Sequence, residues 1–188
     1  MNKSITIKHL VKEDISSIVT ILKDNEINRS EQYFTNCYSE NISDMRMTLI
    51  ANYNGEFAGF CHLIFHSAYG YFKTNGIPEL NDLVVIPKYR RKGIGRELVR
   101  ECEHFAKTKF TKIGLGVGLY KDYGNAHKLY VNLGYQPDGN GIFWRNESVI
   151  PGSQIFIDDD LLLYFWKKLE DKDGPSLGKV SGAIRRKN

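Results

Sequence analysis

The stretch Leu83-Val84-Val85-Ile86-Pro87-Lys88-Tyr89-Arg90-Arg91-Lys92-Gly93-Ile94-Gly95 joins a strand to a helix through a basic turn containing two glycines. Four consecutive apolar residues, Leu83 to Ile86, predict the end of a strand over residues 77–86 that is buried on both faces. Pro87 stops it, because proline has no N–H to give a neighbouring strand. From Ile94 the residues Leu98, Cys102, Phe105 and Ala106 recur at helical spacing, and Arg96, Glu97, Arg100, Glu101 and Glu103 take the other side. The first amides of such a helix have no intrahelical partner, and the helix dipole adds roughly half a positive charge there. Gly93 and Gly95 lack Cβ, so a phosphate can approach the backbone. Arg90, Arg91, Lys92 and Arg96 surround the same point, which suits a pyrophosphate. Two common phosphate patterns do not apply. The GxxxxGK[ST] loop is missing, and GxGxxG fails because Leu98 stands at its third small position.

Outward from this turn the chain alternates strand and helix signals. Residues 4–8 alternate like a strand. Asp14 is placed to cap a helix bearing Ile15, Ile18, Val19 and Leu22 on one side. The polar segment 25–44, with Tyr33, Phe34 and Tyr38, predicts a second helix or a mobile loop. Residues 47–53 and 56–66 predict a hairpin around Asn54-Gly55, a favoured two-residue turn. Residues 112–119 predict a strand, 124–133 a short helix and 161–166 a last strand. The order β-α-(α)-β-β-β-α-β-α-β is that of an α/β layered domain with a mixed sheet. One domain over residues 1–170 is expected, with a disordered tail over 171–188 that ends in Arg185-Arg186-Lys187.

Composition excludes several classes. The 188 residues correspond to one domain, and 41% hydrophobic with 26% charged residues is ordinary for a globular chain. The beginning lacks the apolar run of a secretory signal, and no stretch approaches a membrane span. Cys37, Cys61 and Cys102 are odd in number, widely spaced and free of CxxC, as expected of reduced thiols in the cytoplasm. His62 and His66 fall on one strand face but have no third ligand, so no metal is expected. Cys61 and His62 alternate to opposite faces, which argues against a thiolate pair. Asp158-Asp159-Asp160 reads as a solvated turn into the last strand.

Two motifs carry a family resemblance. Arg90-x-x-Gly93-x-Gly95, preceded by Leu83-Val84-Val85-x-Pro87, resembles the acetyl-CoA motif of the GNAT superfamily of N-acetyltransferases. Leu129-Tyr130-Val131-Asn132-Leu133-Gly134-Tyr135 resembles that family's LYxxxGF segment, in the right order and at the right distance. The resemblance covers roughly residues 50–169. It implies a mixed, mostly antiparallel central sheet flanked by helices and splayed between the fourth and fifth strands, with acetyl-CoA as co-substrate in the opening. It implies that the backbone of Leu83, Val84 and Val85 pairs with the pantetheine arm. Arg90, Arg91, Lys92, Gly93, Ile94, Gly95 and Arg96 are then expected at the pyrophosphate.

By the same resemblance Tyr130 lies near the sulfur and gives a proton to the departing thiolate. The base is Glu79, six residues before Val85, or Asp82, or a water relay; a Glu on the next strand is absent, since Gly118 holds that place. The family's Asn, seven residues before the tyrosine, is replaced by Tyr123, which leaves Asn125 as the candidate for that CoA contact.

The implied activity is direct acetyl transfer to a primary amine of a small molecule. The alternatives are a protein or peptide N-acetyltransferase and a non-catalytic acyl-CoA sensor. No nucleic acid or membrane partner is expected, and an exposed strand edge near the C-terminus offers a homodimer contact. The charge distribution agrees. Residues 88–112 hold nine basic and three acidic side chains, and the tail five and two. The rest, with 12 basic and 17 acidic, is an acidic body suited to a cationic acceptor.

Overall fold

The computed structural model describes residues 4–169, so the tail expected over 171–188 lies outside the described residues. The alternating and helical patterns resolve, in chain order, into β1 (Ile5–His9), α1 (Ile15–Asp24), α2 (Glu31–Ile42), β2 (Arg46–Tyr53), β3 (Glu56–Ile64) and α3 (Gly70–Thr74). These are followed by β4 (Glu79–Val85), α4 (Ile94–Lys107), β5 (Lys112–Gly118), α5 (Gly124–Asn132), β6 (Gln136–Trp144), β7 (Glu147–Ser148) and β8 (Leu161–Lys168). The strands form one sheet in the order β1-β2-β3-β4-β5-β8-β6-β7. Every neighbouring pair is antiparallel except β4 and β5.

Local chemistry accounts for most of these elements. Asn54 and Gly55 both adopt positive φ, as a two-residue hairpin turn requires, and Tyr53 pairs with Glu56 across it. The segment 25–44 is a helix rather than a loop, and Ser30 caps it by accepting the Tyr33 N–H at 3.1 Å. Asp14 precedes α1 without a side-chain cap: it ends a 3-10 turn in helical conformation, and its carboxylate points back to the Val11 N–H at 3.5 Å and to Lys8 at 2.7 Å. In α4 the residues Ile94, Leu98, Val99, Cys102 and Ala106 are buried, and each large one contributes about 1.5–3 kcal/mol by leaving water. Cys61 meets Cys102 of α4, while its neighbour His62 meets Tyr33 of α2. The helices thus cover opposite sides of β3.

Three features depart from the sequence reading. His66 lies beyond the end of β3, so it does not share a strand face with His62. Residues 136–144 form a strand despite Pro137, Gly139 and Gly141, because β8 offers it an edge. Its pairing is broken between Pro137 and Ile142, where the intervening residues bulge out. The third is the apolar end of β4, which is only half-buried instead of buried on both faces. Its pairing with β5 covers Glu79–Gly114 and Leu80–Leu115 and then stops, while β5 goes on pairing with β8. The fourth and fifth strands therefore splay, as the resemblance implied.

A bulge sits at the start of the splay. His62 pairs with Asn81 and Phe60 with Val84, so Asp82 and Leu83 together oppose Cys61. Asp82 has φ +46°, in the left-handed region. Beyond the bulge β3 and β4 run very close. A Cβ on Gly59 would lie 2.3 Å from the Val84 carbonyl oxygen, so only glycine fits there.

Candidate active site

At the end of β4 the chain turns through Arg91 (φ +60°) and Gly93 (φ +89°) before entering α4. Gly93 is the N-cap and makes no side-chain cap. Among the described residues no backbone or side-chain acceptor takes the N–H groups of Arg91, Lys92, Gly93, Ile94, Gly95 or Arg96. Six successive free amides at a helix N-terminus form a concavity suited to an anion. Arg90, Arg91, Lys92 and Arg96 are exposed around it. Arg90 Nε reaches back to the Val85 carbonyl at 3.1 Å, and Lys92 Nζ stands 4.7 Å from the Tyr53 ring centre. At Gly95 a Cβ would make ordinary contacts with Leu129, Val85 and Leu83, so β4, α4 and α5 meet there. The donors therefore fit a pyrophosphate, and the edge of β4 that has parted from β5 beyond Leu80 fits an extended, amide-bearing chain.

The two candidate bases have different environments. Glu79 is buried; it accepts from Ser67 Oγ at 2.5 Å and from Asn81 Nδ2 at 3.1 Å. Burial raises its pKa, and these two hydrogen bonds only partly oppose the rise. Asp82 accepts from Arg29 Nη2 at 2.7 Å and Arg29 Nε at 2.8 Å, and from the Tyr33 hydroxyl at 2.6 Å. Burial opposes its ionisation, but those hydrogen bonds and the Arg29 charge outweigh burial and hold its pKa below the ordinary value. The two carboxyls are thus shifted in opposite directions, Glu79 upward by burial and Asp82 downward by its partners.

Tyr130, on α5, is buried beside Tyr135 with ring centres 5.9 Å apart. Its hydroxyl makes no hydrogen bond among the described residues. Burial, with the neighbouring Cys61 and Cys102, raises its pKa, so it keeps its proton. Asn125 lies in the first turn of α5, exposed and without a partner among the described residues. Tyr123, at the family's Asn position, instead covers Gly118, where a Cβ would lie 2.4 Å from its ring.

Several groups around the opening had no local signal in the chain. Tyr123 donates to Asp159 at 2.8 Å, and Tyr120 donates to the same carboxylate oxygen. Those two hydrogen bonds lower the Asp159 pKa. Asp158 accepts from Trp144 Nε1 at 3.0 Å and Asp160 pairs with Arg145 at 3.3 Å. The three aspartates thus tie the segment before β8 to two places, the end of β6 at Trp144-Arg145 and the Tyr120–Tyr123 turn, rather than merely solvating a turn. The β5 residues Gly114, Gly116 and Gly118 present one face, and Phe72, Tyr164 and Tyr123 pack over them in turn. His62 is buried, with Tyr33 and Thr48 hydroxyls each 2.9 Å from its ring nitrogens. Of the segment 25–44 rings, Phe34 joins the core and Tyr33 joins this polar network. Among the described residues no group of three or more potential metal ligands is found, and no helix is long and apolar enough to cross a membrane.

Comparisons agree with this geometry. An uncharacterized N-acetyltransferase of Bacillus subtilis, YhfO, is 35% identical over 92 residues, 48% of this chain and 58% of that protein. The chain's match thus spans little more than half of that relative. The aminoalkylphosphonate N-acetyltransferase of Salmonella typhimurium is 26% identical over 137 residues, 69% of this chain and 84% of that protein. The fold is shared with yncA, a putative acetyltransferase from Salmonella typhimurium solved with its cofactor acetyl-CoA. The TM-score is 0.65 at 16% identity, covering 93% of this chain and 99% of that one. The model of the acetyltransferase (GNAT) family matches residues 15–135, well over half of the chain. On this match and the splayed sheet, the chain belongs to the GNAT family of N-acetyltransferases.

Proposed function

We propose that the protein transfers an acetyl group from acetyl-CoA directly to a primary amine of a small molecule. The observation that carries the reading is the run of free amides from Arg91 to Arg96 at the end of β4, whose half-exposed last residues keep β3 as a partner but have parted from β5. Those amides, with Arg90, would hold the pyrophosphate, and Leu83, Val84 and Val85 would hold the pantetheine arm. When bound, acetyl-CoA supplies a thioester carbonyl open to attack by an amine. Glu79 takes the proton that an ammonium must lose before it can attack, either directly or through water. Its raised pKa suits that role, whereas Asp82 is held as an anion by the Arg29 charge and the Tyr33 hydroxyl. Tyr130 keeps a proton available for the thiolate that departs, and its unbonded hydroxyl supports that assignment.

Two observations favour a small acceptor over a peptide. The rings of Phe72, Tyr164 and Tyr123 cover the glycine face of β5, where an extended peptide would need open sheet. The relative named for an aminoalkylphosphonate acts on a small amine. Carboxylates at Glu79 and Asp159 suit an acceptor with positive charge. Three buried free cysteines, including Cys61 and Cys102 with sulfurs 3.4 Å apart, support a reducing compartment such as the cytoplasm.

The test is calorimetric titration with acetyl-CoA, then thiol release with a panel of aminoalkylphosphonates, polyamines, amino sugars and peptides with free N-termini. Binding of acetyl-CoA and turnover confined to small amines is expected. Turnover confined to peptides would overturn the acceptor class, and no acetyl-CoA binding would overturn the whole reading.

A further inference from the structure

The bulge in β4 is held from a distance. Asp82 stands in the left-handed backbone conformation, which costs a residue with a Cβ more than it costs glycine, although Asp adopts it more readily than most. Its carboxylate is gripped by Arg29, 53 residues earlier, through Nε at 2.8 Å and Nη2 at 2.7 Å. It is gripped again by the Tyr33 hydroxyl at 2.6 Å. Both partners are themselves fixed. Arg29 immediately precedes the Ser30 cap of α2 and donates Nη1 to the Asn28 carbonyl at 2.9 Å. Tyr33 lies in the first turn of α2 and is backed by buried His62 at 2.9 Å, which in turn contacts Thr48. The N-terminus of α2 is therefore docked onto the first residue of the bulge at which β4 leaves regular register with β3.

That residue immediately precedes Leu83–Val85. A bulge bends its strand and increases the local twist. In this sheet the bend coincides with the loss of β4–β5 pairing after Leu80. We propose that Arg29 and Tyr33 are positioning residues that hold the Asp82 bulge, and through it set the backbone of Leu83–Val85 that receives acetyl-CoA. The inference rests on the acetyl-CoA reading of the cleft. It makes Asp82 a strut, neither a base nor a substrate contact, and couples the α1–α2 connection to the strand proposed to receive the cofactor.

Glycine supplies the test, because it enters the left-handed region without a steric penalty. If Arg29 serves to hold residue 82 there, a glycine at 82 makes Arg29 dispensable. Arg29→Ala, Asp82→Gly and the double variant are compared by acetyl-CoA calorimetry and by amide hydrogen exchange of Leu83–Val85 without ligand. Arg29→Ala is expected to weaken acetyl-CoA binding about tenfold and to speed exchange at Leu83–Val85. In the Asp82→Gly background the same substitution is expected to add less than about twofold. Tyr33→Phe, which keeps the ring and loses only the hydroxyl, moves both readouts the same way by a smaller factor. A tenfold loss that persists in the Asp82→Gly background, or unchanged exchange in Arg29→Ala, overturns the proposal. A wild-type chain that fails to bind acetyl-CoA overturns the functional reading instead, and the ligand-free exchange arm still decides the clamp.

Discussion

Acidifying the protein from pH 7.5 to 5.0 sets two buried groups against each other. His62 is enclosed by Tyr33, Phe60 and Thr48, and burial together with the Arg46 charge pushes its pKa from 6.5 down to about 3. The unfolded chain takes up a proton near pH 6.5 and the folded one does not. Stability contributed by neutral His62 is therefore fully present above about 6.5 and is lost as pH falls towards 3. At about 1.4 kcal/mol per unit of proton linkage, the loss between pH 7.5 and 5.0 is ~2 kcal/mol.

Glu79 has the opposite sign. Burial raises its folded pKa above the ordinary 4.5, so its contribution is present below 4.5 and is lost as pH rises through the folded value. Lowering the pH restores that contribution and offsets part of the His62 loss. Glu56, Asp82 and Asp159, whose values are lowered from 4.5 or 3.8, act mainly below this window.

Glu79→Gln removes the offset and exposes the His62 slope. Urea unfolding followed by circular dichroism at pH 7.5, 6.5, 5.5 and 5.0 measures it. With a urea slope of about 2 kcal/mol/M, the Glu79→Gln midpoint is expected to fall by ~1 M over the range, and the wild-type midpoint by less. A Glu79→Gln midpoint that moves by under ~0.3 M would mean that His62 titrates freely in the folded state. Equal slopes in the two proteins would mean that the Glu79 carboxyl is not raised, and would remove the basis for its role as base.

Tyr130→Phe is expected to lower kcat by roughly 10-fold or more with nearly unchanged acetyl-CoA affinity, as loss of a general acid does; an unchanged rate removes Tyr130 from the mechanism. Gly93→Val puts a β-branched residue at φ +89° in the amide concavity, a strain of about 1–3 kcal/mol at the phosphate approach. It is expected to abolish acetyl-CoA binding while the circular dichroism spectrum is kept, and normal affinity would refute the turn as the phosphate site. Gly118→Ala adds a Cβ 2.4 Å from the Tyr123 ring, displacing it and its bond to Asp159. The acceptor KM is expected to rise severalfold at constant acetyl-CoA affinity, and an unchanged KM would separate this wall from the acceptor.

The elements built from neighbours in the chain were legible in the amino-acid order. The Asn54-Gly55 turn, the apolar face of α4 and the basic turn before it each depend on residues within one or two turns of backbone, whose conformational preferences travel with them. The order of those elements, with Arg90-x-x-Gly93-x-Gly95 and the Leu129-Tyr130 segment, carried the family. Other features depended on partners distant in the chain. Strand β6 forms through Pro137 and two glycines only because β8 lies beside it. The apolar end of β4 is half-exposed because pairing with β5 stops at Leu80, which no periodicity encodes.

The same limit governs the choice between Glu79 and Asp82. Both are carboxylates at the start of one strand, three residues apart, and nothing in that stretch tells them apart. Folding brings a guanidinium and a phenol to Asp82 and only a hydroxyl and an amide to Glu79. A carboxylate's proton affinity is set by burial and by the charges within a few ångströms, and those neighbours came from residues up to 53 positions away. The chain itself determined that a strand, a basic glycine turn and a helix would form; the tertiary structure decided which carboxyl is held below its ordinary pKa and which is raised above it.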